Sequence, residues 1–166
     1  MADWAPPLEA VDEVWDSAWN TYEIAAAYCD PARGFEAKIG EWEVKYAPRL
    51  VRSPKTGKPV RASNAGPFQW WFTARSAIFE KAIEAYERAI QNHDMSHPGD
   101  ARFSQHILNA KRRVVHQHLT LKKEHDYSPN KIDLAVCGVL GYQARLDCIA
   151  AGIGAKPERR PPIRVR

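Results

Sequence analysis

Two aspartates stand where a carboxylate could do chemistry in this chain. Asp133 follows Ser128 and Pro129, which suit the cap and the first position of a helix rich in Ala, Val and Leu. The positive end of that helix would stabilise an ionised carboxylate by about 0.3–1 kcal/mol. Asp30 ends the apolar run 24–29, which predicts a short strand buried on both faces. The carboxyl end of such a strand is the usual place of chemistry in an open α/β sheet.

Position alone leaves two interpretations of Asp30 open. The residue stands directly before Pro31, and apolar residues recur at helical spacing at positions 35, 39, 42 and 46. An aspartate before such a pattern is a good helix N-cap, because its carboxylate accepts hydrogen bonds from the first backbone N–H groups. A carboxylate at a strand end also suits a divalent metal ion, which prefers oxygen ligands.

Basic residues form a second set of candidates, for contact with the phosphates of DNA. The segment 52–67 contains four of them and no acid, and its Ser, Pro and Gly residues predict a long flexible loop. Each phosphate that is neutralised adds affinity that depends on salt and not on base sequence, whereas an ordinary solvated loop is the alternative. The candidates are Arg52, Lys55, Lys58, Arg61, Lys111, Arg112, Arg113 and Lys131.

The spacing of apolar side chains predicts the elements that position these residues. Trp15 and Trp19 would face the core from the first helix, and Trp70 and Trp71 would pack inward from a later one. The predicted elements are helices over 8–22, 35–46, 68–92 and 100–116, short strands over 24–29 and 47–51, an extended segment over 118–122, and the final helix.

Length and composition fit one domain. A chain of 166 residues, of which 45% are hydrophobic, can bury one core. We assign residues 1–154 to the domain and the Pro-rich, basic segment 155–166 to a disordered tail. No apolar run approaches 18 residues and no positively charged signal sequence opens the chain, so we expect a cytoplasmic location without membrane contact. The three cysteines lack Cys-x-x-Cys spacing and are expected to be buried, reduced thiols.

The net charge of +4 conceals a division along the chain. Residues 1–30 contain seven acids and no Lys or Arg, so the remainder carries +11. This asymmetry predicts a basic face for phosphate and an acidic flank turned away from it.

Three short segments, in this order along the chain, carry a resemblance to a known family. They are Cys29-Asp30-Pro31 after an apolar run, Ser96-His97-Pro98-Gly99-Asp100 followed by residues 106–113, and Lys131-Ile132-Asp133 opening an Ala-rich helix. Together they resemble the nuclease domain of a tailed-phage terminase large subunit, over about residues 9–152. That resemblance implies a ribonuclease-H-like fold and a nuclease that cuts concatemeric double-stranded DNA during packaging.

The resemblance also implies a site and a gap in it. Asp30 and Asp133 would be catalytic carboxylates that hold two divalent ions, Mg²⁺ or Mn²⁺, while Lys131 helps to hold the phosphate. The family's first carboxylate lies on an opening strand, and nothing before residue 24 predicts that strand. The Gly-x-x-x-x-Gly-Lys-Ser/Thr loop of the family's ATPase is absent as well. We therefore expect a truncated ribonuclease-H-like fold, with a short mixed sheet flanked by long helices and an incomplete metal site.

Three functions follow as alternatives. The first is a metal-dependent DNA endonuclease module, completed by a chain that carries the terminase ATPase and the first nuclease strand. The resemblance also implies the portal or procapsid and the small terminase subunit as partners, in the host cytoplasm. The second is a non-catalytic terminase remnant or accessory DNA-binding protein. The third is an unrelated helical DNA-binding protein.

Overall fold

The chain is a mixed α/β protein in which helices outweigh a small sheet, and this class is as predicted. The computed structural model describes residues 7–31, 34–62, 66–69, 76–97 and 99–154; Trp70, Trp71 and the tail 155–166 lie outside these ranges. The described elements are α1 (Leu8–Thr21), α2 (Glu36–Tyr46), α3 (Ser76–Gln91), α4 (Ala101–Asn109), β1 (Lys111–Val115), β2 (His118–Lys122) and α5 (Asp133–Ala150). No helix in the described ranges is long and apolar enough to cross a membrane.

An aromatic cluster joins α1 to α2. Trp15 and Trp19 lie about one helical turn apart, so their rings fall on the same face of α1. The Trp15 ring stacks on that of Trp42 with 4.8 Å between the centroids, and Trp19 stacks on Tyr46 at 5.0 Å. Trp19 is only 3% exposed, which confirms the predicted core position.

Acidic residues of α1 also tie this helix to α2. Asp12 pairs with Lys38 at 2.7 Å, and one turn later Asp16 accepts hydrogen bonds from Lys45 Nζ at 2.7 Å and from the Tyr46 hydroxyl. These contacts lower the pKa of both carboxyls, with the lysine hydrogen bond as the first cause in each case. Two of the seven acids in residues 1–30 therefore stabilise the packing of α1 against α2. They do not only form a solvated acidic surface.

The second core lies between α3, β2 and α5. Ile83 of α3 and Val139 of α5 are each 1% exposed, and Leu119 joins them from β2. Helix α5 approaches α3 closely at Gly138, where an added Cβ would lie 2.5 Å from the Tyr86 hydroxyl oxygen. The final helix is thus packed as its apolar composition predicts.

The predicted helix over residues 100–116 is wrong in its second half. Helix α4 ends early, and β1 pairs antiparallel with β2 in a hairpin. The two connecting residues, His116 and Gln117, have φ values of 48° and 66°, as a two-residue type I′ turn requires. The β-branched pair Val114-Val115 favours a strand, which the helix-compatible residues around it concealed. Strand β1 therefore carries Lys111, Arg112 and Arg113, while β2 confirms the extended segment predicted over 118–122.

Neither of the two predicted early strands forms a ladder. Residues 24–29 are not helical, yet within the described residues they contribute only one parallel bridge, between Cys29 and Gln69. Residues Ala47–Arg49 form a turn of 3-10 helix and not an edge strand, since proline suits the first positions of a helical turn. The described sheet is accordingly one hairpin and not the short mixed sheet that was expected.

Two predicted helices begin later than expected. Within the described residues α3 covers Ser76–Gln91, and residues 68–69, where the helix was predicted to begin, are not helical. The N–H groups of Phe68 and Gln69 both donate to Glu43 Oε1, at 2.7 and 3.1 Å, which holds them outside a helix. Helix α5 begins at Asp133, because Ser128 Oγ accepts a hydrogen bond from the Asn130 N–H and closes a turn instead of capping the helix.

Candidate functional site

Asp133 is the first residue of α5 and lies beside a cavity of about 550 Å³ between α4 and α5. Asp133 is exposed, so solvent and a bound ligand can reach its carboxylate. The cavity is lined by His97, Asp100, Arg102, Phe103, His106, Asp133 and Leu134. His97, Asp100 and His106 therefore meet Asp133 and Leu134, which lie more than 25 residues later in the sequence, at this cavity.

Helix α4 contacts the start of α5 through two polar side chains. His106 Nδ1 accepts a hydrogen bond from the Leu134 N–H at 3.0 Å. Asn109 Nδ2 donates to the Lys131 carbonyl oxygen at 2.9 Å. The candidate carboxylate of Asp133 thus lies between two residues whose backbones are held by α4.

Asp100 is a helix cap and not a free carboxylate at this cavity. Its Oδ1 accepts hydrogen bonds from the backbone N–H groups of Arg102 at 2.7 Å and Phe103 at 3.3 Å, which confirms that Asp100 starts a helix. The Arg102 guanidinium pairs with Oδ2 at 2.9 Å. The side-chain bond from Arg102, followed by the two backbone bonds, lowers the pKa of Asp100 to about 2.

Asp30 is half-buried. The residue before it, Cys29, faces α5. Cys29 and Cys137 line one cavity, and Cys137 lies one turn after Asp133 on α5. Burial, followed by the charge of Cys137, raises the pKa of Cys29 to about 12. Desolvation of the Cys137 thiol, followed by the charge of Asp133, raises the pKa of Cys137. The end of the segment that precedes Asp30 therefore reaches the first turns of α5.

The cap interpretation of Asp30 fails for α2. This helix has Phe35 at its N-cap position and receives no side-chain cap hydrogen bond. In the described ranges no three His, Cys, Asp or Glu side chains form a group that could hold an ion. Two carboxylates nevertheless fit Mg²⁺ or Mn²⁺, since Mg²⁺ is commonly held by one or two carboxylates together with water and substrate phosphates. The approach of Asp30 and Asp133 to one shared ion stays a prediction.

The basic loop lies at the opposite end of α5 from Asp133. Lys55 Nζ donates to the Ala150 carbonyl oxygen at 2.8 Å, where a cation favours the helix C-terminus. Arg52 Nη1 donates to the Gly57 carbonyl oxygen at 3.1 Å within the loop. At 1.5 Å per residue the 18 residues of α5 span about 27 Å, so the loop is that far from Asp133 along the helix. Its other two candidates, Lys58 and Arg61, are exposed.

The remaining basic candidates lie nearer to Asp133. Lys131 is exposed and stands two residues before it. Strand β1 begins two residues after Asn109, which contacts the Lys131 backbone. On this strand Arg112 pairs with Glu87 at 3.4 Å, and Arg113 Nη2 donates to the Glu124 carbonyl oxygen at 3.0 Å. The eight candidates thus form two groups, one at each end of α5.

Three carboxylates that the sequence did not single out have structural roles. Glu43 holds residues 68–69, as described above. Glu80 accepts from the Leu119 N–H at 3.2 Å and contacts His118 Nδ1 at 2.9 Å, which covers the outer edge of β2. Asp147 accepts from the Tyr28 hydroxyl at 2.5 Å and joins the segment 24–29 to α5. No sequence motif marks these contacts, because each acid pairs with a group distant along the chain.

The cysteines are all free thiols, but their burial differs from the prediction. Cys148 is buried and Cys29 half-buried, whereas Cys137 is exposed. Cys137 lines an apolar cavity of about 690 Å³ that runs between residues 24–29 and α5.

Comparison with known proteins finds relatives encoded by bacteriophages. The chain is 32% identical over 142 residues to the "Gene 13 protein" of Mycobacterium phage D29, and equally to that of Mycobacterium phage L5. The match covers 85% of this chain and 22% of each relative, so the chain spans about a fifth of their length. No protein-family model matches the sequence. No solved structure matches it either.

Proposed function

We propose that this chain is the nuclease module of a phage DNA-packaging terminase large subunit, a metal-dependent endonuclease with a ribonuclease-H-like ancestry. The proposal is carried by one observation: residues from segments 96–100 and 106–113 line a cavity with Asp133, and His106 and Asn109 bond to the backbone on either side of it. These segments belong to the motifs on which the resemblance rests, and Asp133 lies among them. The phage origin of the relatives supports the same assignment.

Different residues of this chain would bind the metal ions and the phosphates during cleavage of concatemeric double-stranded DNA. Asp30 and Asp133 would hold Mg²⁺ or Mn²⁺, and the bound ions would supply an activated water and charge stabilisation for the leaving oxygen. Lys131 and the basic residues of β1 would bind phosphates next to the site, while the loop over 52–61 would hold the duplex farther along α5. Because the duplex rises 3.4 Å per base pair, the two groups can contact one duplex about eight base pairs apart.

A partner polypeptide completes the site in this proposal. It would carry the terminase ATPase and the first nuclease strand with the third carboxylate, and it would bring the module to the portal or procapsid and the small terminase subunit in the host cytoplasm. The relatives are several times longer than the matched segment, which gives room for such parts. The cavity along residues 24–29 is apolar and close to Asp30, so an arriving strand can pack there.

A second candidate is a non-catalytic terminase remnant or accessory DNA-binding protein. It is favoured by helix α1, which occupies residues 8–21, where the resemblance would place an opening strand with the first carboxylate. Both candidates predict sequence-independent DNA binding, and only the first predicts cleavage.

Plasmid cleavage separates the two candidates. The full chain is tested with Mn²⁺ or Mg²⁺, alone and mixed with the part of the D29 Gene 13 protein that lies outside the matched 142 residues. We expect metal-dependent cleavage that Asp30→Asn and Asp133→Asn each abolish without loss of DNA binding, whereas the exposed Asp126→Asn remains active. Cleavage that survives both substitutions would remove these carboxylates from the mechanism. DNA binding without cleavage in every mixture would favour the remnant.

A further inference from the structure

Helix α5 lacks a cap of its own at the end that carries Asp133. Its N-cap residue is Ile132, with φ −128° and ψ 4°, and no side chain near it in sequence caps the helix. The Ser128 hydroxyl is already bonded to the Asn130 N–H. Because the first N–H groups of any helix have no partner within the helix, this end depends on groups from elsewhere.

Helix α4 supplies those groups from one face. His106 and Asn109 are three residues apart, a spacing that places two side chains side by side on a helix. His106 Nδ1 accepts from the Leu134 N–H at 3.0 Å, and Asn109 Nδ2 donates to the Lys131 carbonyl oxygen at 2.9 Å. One contact holds the residue after Asp133, and the other holds the residue two before it.

We propose that His106 and Asn109 are positioning residues that fix the backbone of Asp133 from α4. Their hydrogen bonds go to the Lys131 carbonyl and the Leu134 N–H and not to the Asp133 carboxylate, so both act through the chain on either side of it. The role in catalysis rests on the proposed function, whereas the positioning of Asp133 does not. Because Nδ1 of His106 is the acceptor, the neutral ring carries its proton on Nε2.

Asn109 is itself held in the orientation that this role needs. Gln105 Nε2 donates to Asn109 Oδ1 at 2.9 Å, which leaves the Asn109 amide nitrogen to face Lys131. The isosteric substitution Asn109→Asp keeps the acceptor for Gln105 and removes the donor to Lys131. It therefore isolates the contact with the start of α5.

The hydrogen bond to His106 can be observed directly in the full-length, ¹⁵N-labelled chain. We expect a through-hydrogen-bond NMR coupling between the Leu134 amide nitrogen and His106 Nδ1, together with the ¹⁵N shifts of an Nε2-protonated ring. A ring protonated on Nδ1 would overturn the proposal.

Matched variants separate positioning from general stability. In His106→Asn the new Oδ1 occupies about the position of Nδ1 and can accept the same bond, whereas His106→Ala offers no acceptor. A helix cap is worth roughly 5- to 10-fold in local opening, so we expect Leu134 amide exchange to accelerate by that factor in His106→Ala. His106→Asn should restore it to within about 3-fold, and His125→Ala, an exposed control, should not change it.

Backbone order at Asp133 decides the proposal. ¹⁵N relaxation should show increased motion of Asp133 in His106→Ala and Asn109→Asp, with the amides of α3 unchanged. Unchanged order at Asp133 in both variants would overturn the proposal, and so would a loss of order throughout the chain that His106→Asn fails to rescue. If these variants behave as expected but no Mn²⁺ binds near Asp133 in the wild type, the proposed function fails and the positioning role stands.

Discussion

At the scale of single residues, the carboxylates differ in how many partners they have. Asp12, Asp16 and Asp100 accept hydrogen bonds that lower the pKa of each, so they stabilise helices in the ionised form. Asp133, by contrast, is exposed at a helix start beside a cavity. Sequence position alone could identify Asp133 as unusual, because it interrupts an apolar helix. It could not show that Asp100 is committed to a cap, since a cap and a ligand occupy similar positions before a helix.

The Asp100 cap predicts a specific loss of stability in acid. The pKa of this carboxyl falls from 3.8 to about 2 on folding, so its contribution is fully present above pH 4 and is lost as the pH falls through about 2. Asp100→Asn keeps a good capping residue without the titration. The free energy of unfolding, measured with urea, should therefore fall less steeply between pH 5 and pH 2 for Asp100→Asn than for the wild type. If the free energy of unfolding depends on pH in the same way in both proteins, the Asp100 carboxylate does not make these contacts in solution.

At the scale of elements, periodicity predicted helices better than strands. Helices α1 and α2 match the prediction within one residue at each end, because their aromatic stripes repeat at helical spacing. The hairpin was missed because His116 and Gln117 form its turn without the Asn-Gly pair that usually marks one. The segment 24–29 was predicted as a strand because it is apolar, yet a strand also needs a partner strand along its length, and within the described residues this segment has a single bridge.

The Tyr28 hydroxyl ties the segment 24–29 to α5. Tyr28→Phe removes the 2.5 Å hydrogen bond to Asp147 and leaves that carboxylate with one donor fewer in a partly buried place. Loss of a hydrogen bond to a charged group costs about 1–3 kcal/mol. Denaturant titration should show a loss of that size in the free energy of unfolding. Tyr127→Phe is the matched control, because Tyr127 is 96% exposed and should have no effect; equal effects would contradict the contact.

At the scale of the whole molecule, α5 separates two basic groups. The sequence identified the basic residues, but it could not place them, since the loop over 52–61 folds back on the C-terminal end of α5. The same applies to the site: α4 meets the start of α5 through contacts that link residues 22 and 28 positions apart. Neither long-range contact follows from local spacing.

The two basic groups predict a two-part salt dependence of DNA binding. Each phosphate contact contributes a slope of about −0.9 to the plot of log affinity against log salt for duplex DNA. Replacing Arg52, Lys55, Lys58 and Arg61 by Gln should flatten the slope, and so should replacing Lys111, Arg112 and Arg113. Lys38→Gln with Lys45→Gln should not, because both lysines already pair with acids of α1. An unchanged slope for either group would remove it from the interface.

In the proposed mechanism Asp30 and Asp133 share a divalent ion. Titration of Mn²⁺ into the ¹⁵N-labelled chain bound to a short DNA duplex tests it most directly, because the ion broadens the NMR signals of nearby amides. We predict that low Mn²⁺ broadens the signals of Asp30 and Asp133 together, and that Asp30→Asn or Asp133→Asn alone removes both effects. Broadening at only one of the two, or broadening at Asp133 that survives Asp30→Asn, would contradict the claim.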